Sequence, residues 1–255
     1  MVSGRSLLRL TAAVALAALS VPLGAATPRS TVTEQLSWYG DPKAPDLSGV
    51  WVRVDTPSRS GSNEGWLPWP PPLKAPFDAT YAKRVADAAT GKRTDDPVTT
   101  CQPGGMPRTI AGMTTPMLLI QTPGRVVIYR DGVPNRRIWL DGRPFPAARN
   151  LESFSNGNAM GRYVGKDLVT ELRGIRDQPV DATGVPHSDN LVIAEHYHRV
   201  DATTMTVAVT LTDPAAYTVP ITTTVTYKRY ADPLWEPHEF LCTPKTDYHP
   251  DRYVR

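Results

Sequence analysis

Only two cysteines occur in the 255 residues. That excludes a disulfide-dense scaffold and a cysteine-rich metal centre. Charge of one sign is not in excess: 28 basic side chains face 25 acidic ones, with no basic run of the kind that tracks a nucleic-acid backbone. No nucleic-acid partner is therefore expected. Beyond the first 26 residues no apolar stretch is long enough to span a bilayer, so no transmembrane segment is expected after leader removal. A nucleophile elbow of the G-x-S-x-G type is missing, and nothing indicates a nucleotide, flavin or haem site. No cofactor and no metal is expected. What is abundant is proline, 26 of 255, about twice ordinary usage. Proline at that level disfavours long helices and suits strands joined by rigid turns.

Met1 to Ala26 has the form of a secretory signal peptide. Arg5 and Arg9 make a positive start, Leu10 to Leu23 an apolar stretch, and Gly24-Ala25-Ala26 a small-residue cleavage site. Removing it leaves 229 residues with 26 basic and 25 acidic side chains, a net charge near +1. The expected location is periplasmic or secreted. In an oxidising compartment Cys101 and Cys242 are expected to form one disulfide.

Residues 27–46 form a polar lead-in, and 47–255 a single domain. Asp46 to Val54 reads as a first strand. The loop at 55–76 is rich in Pro, Gly and Ser and carries Trp66 and Trp69. These either cap a barrel mouth, line a ligand entrance or pack outside the sheet. Phe77, Tyr81, Val85 and Ala88 recur at helical spacing, so one helix is expected from Phe77 to Thr90. After Met113 the pattern is strand and turn. Met117–Ile120 and Val126–Tyr129 flank Thr122-Pro123-Gly124. Arg136–Asp141 is next, and Gly161–Leu172 turns at Gly165-Lys166-Asp167. Leu191–Val200 follows, then two strands of strict period two, Met205–Leu211 and Val219–Tyr227. Eight to ten strands without strand–helix–strand alternation predict an all-β fold. The expected architecture is an antiparallel, lipocalin-like β-barrel, because closure removes the edges so many strands would otherwise present.

Seven ordered segments carry a further likeness. DLSGVW (Asp46–Trp51), CQPGGMPR (Cys101–Arg108), IQTPGRVVIYRD (Ile120–Asp131), RRIWLDGRPFP (Arg136–Pro146), PHSDNLVIAEHYHR (Pro186–Arg199), LTDPAAYTVP (Leu211–Pro220) and EFLC (Glu239–Cys242) together resemble a family of exported bacterial proteins. Its barrel pattern is similar to the lipocalin or calycin group. That likeness implies a barrel that binds a small apolar molecule, with isomerases, hydratases or cyclases as the minority case. The chain departs from the family pattern at Phe145 and Asn158, where the pattern has histidines, and at Ala159, where it has serine.

Glu195 shares a strand face with Leu191, Ile193 and Tyr197 and is expected to point inward. It is either half of a structural ion pair, with Arg137 as the natural partner, or a general acid or base. Arg137, Trp139 and Asp141 lie on one face by period two. Arg and Trp there would clamp a carboxylate or a flat ring, or Asp141 would shape the DGRP turn. His187 and Tyr163 join Glu195 as candidate catalytic groups. The run His187-Ser188-Asp189 is not a triad, because neighbours on a strand point to opposite faces. Asn158 and Glu171, on the divergent hairpin, complete the candidate substrate-binding set with Tyr197. His196 and His198 are two apart and share a face, a spacing that holds a metal if a third ligand arrives. That face is opposite Glu195, and a solvated pair is expected. Three functions fit: a carrier of a small apolar or aromatic molecule, a cofactor-independent lyase or isomerase, and an envelope protein with a filled barrel.

Overall fold

In the computed structural model the described residues are 44–54, 66–67, 70–92, 95–232 and 234–238. The expected leader, most of the expected lead-in, Trp69, Cys242 and His249 lie outside them. Alternating Val, Ile, Leu and Thr make nine strands: β1 (Gly49–Arg53), β2 (Met117–Thr122), β3 (Arg125–Arg130), β4 (Arg136–Trp139), β5 (Asn158–Val164), β6 (Asp167–Arg173), β7 (Val192–Arg199), β8 (Thr204–Thr212) and β9 (Ile221–Arg229). Each pairs with its neighbour in sequence, and β9 pairs back onto β1, closing the barrel. The closed all-β barrel and its strand number agree with the expectation from the sequence.

One adjacency does not. β4 and β5 run parallel, meeting at Ile138–Ala159 and Trp139–Met160, whereas the other eight adjacencies are antiparallel. Parity requires this. Strand directions cannot alternate all the way round a closed ring of nine, so at least one pair must be parallel. The long connection from Leu140 to Gly157 absorbs it. It carries the chain back to the end where β4 began, as a parallel pair needs. Sequence spacing cannot distinguish such a return from another hairpin.

The turns follow the predicted chemistry. Pro123-Gly124 joins β2 to β3, and Gly165-Lys166 joins β5 to β6, with Gly124 and Gly165 both at positive φ. A single longer helix, α1 (Phe77–Ala89), matches its predicted span within one residue. Its stripe is less buried than its spacing implies. Tyr81 is buried and Phe77 half-buried, but Val85 and Ala88 face solvent. The helix is a strap on the barrel, held by Arg84, which donates to the Gly184 carbonyl and pairs with Asp95. Trp66 is buried in the core cluster, so it packs against the barrel instead of lining an open entrance. Among the described residues no helix is long and apolar enough to cross a membrane, and none of them is a free cysteine.

Both barrel ends are covered. At the end where β1 begins, Gln121 ties the lead-in down. Its side-chain oxygen accepts from the Leu47 N–H and the Ser48 hydroxyl, and its amide donates to the Pro45 carbonyl. Trp51 donates to the Leu47 carbonyl at 2.8 Å, and the Arg229 guanidinium lies 4.1 Å above its ring. At the other end the segment Gly104–Gly112 inserts as a plug around a single helical turn, α2 (Arg108–Ala111), whose four residues are all buried. It overlaps the end of the CQPGGMPR segment. Met106 N–H donates to the Ser155 carbonyl, Gln178 donates to the Gly104 carbonyl, and Arg108 pairs with Asp96, each at 2.8 Å.

Candidate functional site

The inward face of the barrel is set by the apolar positions: Trp51 on β1, Leu119 on β2, Ile128 on β3, Ile138 on β4, Leu168 on β6, Ile193 on β7 and Val209 on β8. Polar residues of the same parity must also point in, and several do. Arg136 precedes Ile138 by two and projects into the lumen. It reaches past β5, where the small Ala159 and Gly161 leave room; a Cβ on Gly161 would come within 2.8 Å of Ile138. It meets Glu195 on β7. Arg136 Nη1 donates to Glu195 Oε1 at 2.8 Å and to the Tyr197 hydroxyl at 3.0 Å, and Nη2 donates to Glu195 Oε2. The Thr170 hydroxyl, cross-strand from Glu195, donates to Oε2 at 2.6 Å. Side-chain exposure is 1% for Arg136 and 0% for Glu195.

The electrostatics of this pair are self-contained. Burial alone would lower the pKa of the Arg136 guanidinium, but the Glu195 charge and its hydrogen bonds outweigh that and hold it above its ordinary value. Burial pushes the Tyr197 phenol well up, so it remains neutral and serves as a hydrogen-bond acceptor. Both oxygens of Glu195 are already engaged by protein groups, which is the structural ion pair of the two alternatives weighed for it. The partner is Arg136 instead of the expected Arg137. A single-residue offset decides this: Ile138 fixes the parity of β4, so Arg136 faces in and Arg137 is exposed.

The same offset corrects the clamp. Trp139 and Arg137 lie on the outer wall. Trp139 is covered there by Arg143 at 3.8 Å and Arg125 at 5.4 Å from its ring centre. Asp141 is exposed and accepts from Arg143, whose hydrogen bond holds its carboxyl below the usual range. It shapes the turn. Asn158 donates to the Glu152 carbonyl at 2.8 Å, and Glu171 pairs with Arg173 at 2.6 Å on the outside of the barrel. Neither lines the interior.

The three candidate catalytic groups are not brought together. Glu195 is mid-barrel. Tyr163 faces in near the lead-in end, where its hydroxyl accepts from Gln121 Nε2 at 2.7 Å. His187 is buried in the loops over the plug end. Its ring bridges two carbonyls, Nδ1 2.8 Å from Ser188 O and Nε2 3.1 Å from Arg176 O. Ser188 turns instead to Asp213, which accepts from its N–H and hydroxyl. No triad forms at 187–189.

Sequence reasoning missed a second polar group at the plug. The C-terminal carbonyls of α2 have no partner within so short a helix. Two inward residues satisfy them, Arg53 donating to Ala111 O and Tyr227 to Ile110 O, and a third, Arg130, donates to Met113 O just beyond the helix at 3.1 Å. Arg130 also donates to the Tyr227 hydroxyl at 3.3 Å. Burial raises the Tyr227 phenol, keeping it a donor. The signal was present: Arg53 shares parity with Trp51, and Arg130 with Ile128.

Large side chains fill what remains. Trp51, Tyr197, Tyr227, Met117, Leu119 and Leu168 are each 2% exposed or less. Any void able to hold a water molecule would expose the groups that line it. At these positions the lumen is core. Searches with protein-family models, curated proteins and solved structures find no match to this chain.

Proposed function

We propose that this protein is an exported envelope protein of structural or accessory type, whose barrel is filled by its own side chains and which acts through its outer surface. The observation that carries this reading is the packing of the lumen around a saturated Arg136–Glu195 pair, with a plug at one end and the lead-in at the other. Ligand pockets are usually preformed and bury most of their ligand. A carrier of a small apolar molecule would have to expel the plug or the core to make such a space. An acid–base enzyme would need a free carboxylate oxygen on Glu195. Export rests on the leader at 1–26, and the family likeness agrees with it.

The reading is tested by titrating the purified mature protein with an apolar fluorescent probe such as anilinonaphthalene sulfonate. No saturable binding is expected. One-to-one binding with a Kd below about 10 µM would overturn the filled barrel in favour of a carrier. We further propose that Cys101 pairs with Cys242, clasping the segment before the plug to the C-terminal tail. The intact mass without reductant is expected to be about 2 Da below the fully reduced value.

A further inference from the structure

The parity that sends Arg136 and Ile138 into the lumen sends their neighbours out. The outward positions of β3, β4 and β5 hold three arginines, Arg125, Arg137 and Arg162, and no acid. All three are exposed, and none has a carboxylate partner among the described residues. Strand pairing gathers them round Trp139. Arg125 stands directly across from Trp139, Arg137 is two residues before it, and Arg162 is two beyond Met160, which pairs with Trp139 on its other side. With strands about 4.8 Å apart and alternate residues about 6.7 Å apart, the three backbone positions lie about 8–14 Å from one another. The neighbouring arginines are neutralised: Arg143 pairs with Asp141, and Arg173 with Glu171. Further round, Asp167 lies 2.7 Å from both His196 Nε2 and His198 Nδ1 on the outer face of β7, so its charge is engaged there. The outward positions of β8 and β9 are mostly threonine, with Lys228 at one end. Unpaired positive charge thus gathers over β3–β5, in a mature chain whose net charge is only near +1.

We propose that this wall, centred on Arg125, Arg137 and Arg162, binds an acidic polysaccharide whose repeating sugar carries a carboxylate. The proposal names a partner for the outer surface and rests on the reading that the protein acts through it. Charge complementarity sets the sign of the ligand, and the spread of the arginines sets its length. A single small anion meets one of them and leaves two unmet, whereas a chain of carboxylates serves all three. The guanidinium is a planar fork that matches a carboxylate with two hydrogen bonds. Arg125 already lies against the Trp139 ring, 5.4 Å from its centre, so it loses less freedom on binding. Other polyanions fit less well. A single-stranded nucleic acid stacks its bases on open aromatic faces, and Trp139 has two guanidiniums against its ring, Arg143 at 3.8 Å. A flat bilayer meets a curved barrel wall along a line, which favours one strand over its neighbours, while a flexible chain follows the curve. An acidic peptide has no strand-addition route, because ring closure leaves these strands without a free edge.

The test is isothermal titration of the untagged mature protein with an oligogalacturonate at about 50 mM salt. Saturable binding is expected with a Kd on the order of 100 µM, the affinity of a few charge-assisted hydrogen bonds. It should weaken about fivefold or more at about 300 mM salt. The fully methyl-esterified oligomer keeps the sugar backbone and loses the charge, and no binding is expected for it. That comparison needs only the unaltered protein. Arg125→Gln, Arg137→Gln and Arg162→Gln combined are expected to weaken binding by about tenfold or more. Lys228→Gln, on the far side of the ring, is expected to leave it unchanged. Absence of saturable binding would overturn the proposal. So would equal binding of the ester, or a triple variant that binds like the parent. Tighter binding of phosphatidylglycerol vesicles or of single-stranded oligothymidylate than of the uronate would also overturn it, and would assign the wall to a membrane or a nucleic acid. None of these outcomes touches the filled lumen, and dye binding inside the barrel would not touch this wall, so the two readings fail separately.

Discussion

Replacing Glu195 by alanine is expected to cost about 3–5 kcal/mol, the range for breaking a buried pair by removing one partner. For a domain of this size that lowers Tm by on the order of 10 °C. The cause is the stranded charge. Arg136 would keep its guanidinium in a lumen from which solvent is excluded, with only Tyr197 left among its present side-chain partners. Its Nε already has no hydrogen-bond partner. Arg136→Ala should cost a similar amount, and Arg137→Ala, one residue along but outside the barrel, almost nothing. Glu171→Ala is a matched control, since its pair with Arg173 is exposed on both sides and such pairs are worth about 0–1 kcal/mol. Replacing Glu195 and Arg136 together by leucine and methionine is expected to recover most of the loss, because buried pairs often exchange for apolar residues without penalty. Equilibrium urea unfolding checks all of these. A loss below about 1 kcal/mol for Glu195→Ala would mean that the pair is solvated and the lumen open.

Gly105→Ala is expected to unseat the plug, at about 2–6 kcal/mol from left-handed strain and overpacking together. Gly105 has φ +66°, and a Cβ there would lie 2.0 Å from Gln178 Nε2 and 2.3 Å from the Ser155 carbonyl oxygen. The glutamine amide can swing aside. The Ser155 carbonyl cannot, because it accepts the Met106 N–H that seats the plug. Gly165→Ala separates the two contributions. Gly165 has φ +59° but nothing within 4 Å of its would-be Cβ, so only the backbone cost of about 1–2 kcal/mol applies. Hydrogen exchange at Met106–Met113 reads the result directly. Fast exchange in Gly105→Ala alone is expected, and unchanged protection would show that the plug does not depend on this close approach.

Much of the barrel was legible because strands advertise themselves by period. Met205–Leu211 and Val219–Tyr227 alternate without interruption, and they appear as β8 and β9, although β9 begins only at Ile221 and leaves Val219 exposed before it. The parallel seam at β4–β5 was not legible, because it depends on the number of strands in the ring and no local pattern encodes that. The site was half legible. Glu195 shares parity with Ile193 and Tyr197, so its inward direction could be read. Its partner could not, since RRIW offers two adjacent arginines of opposite parity. Ile138 was the safer guide: a β-branched aliphatic residue on a short strand has less use outside the barrel than a tryptophan with Arg143 and Arg125 against its ring. The carboxylate for the histidine pair was missed because Asp167 is remote in sequence and reaches His198 only through the β6–β7 register.

The odd ring also divides the cost of folding unevenly. From β5 to β9 every strand pairs with the next along the chain over most of its length. Few residues separate β5 from β6 and β7 from β8, so two of these four pairings close short loops, while β6–β7 and β8–β9 close longer ones. The remaining four strands join it at two seams only. One is the two-residue parallel contact of β4 with β5, and the other is the three-residue contact of β1 with β9. The second seam brings together segments almost the whole domain apart, and closing so long a loop earns little until the ladder on either side exists. The chain therefore resembles a broad ribbon with a narrow clasp, and ring closure is the step at which the entropy of the N-terminal third is finally surrendered.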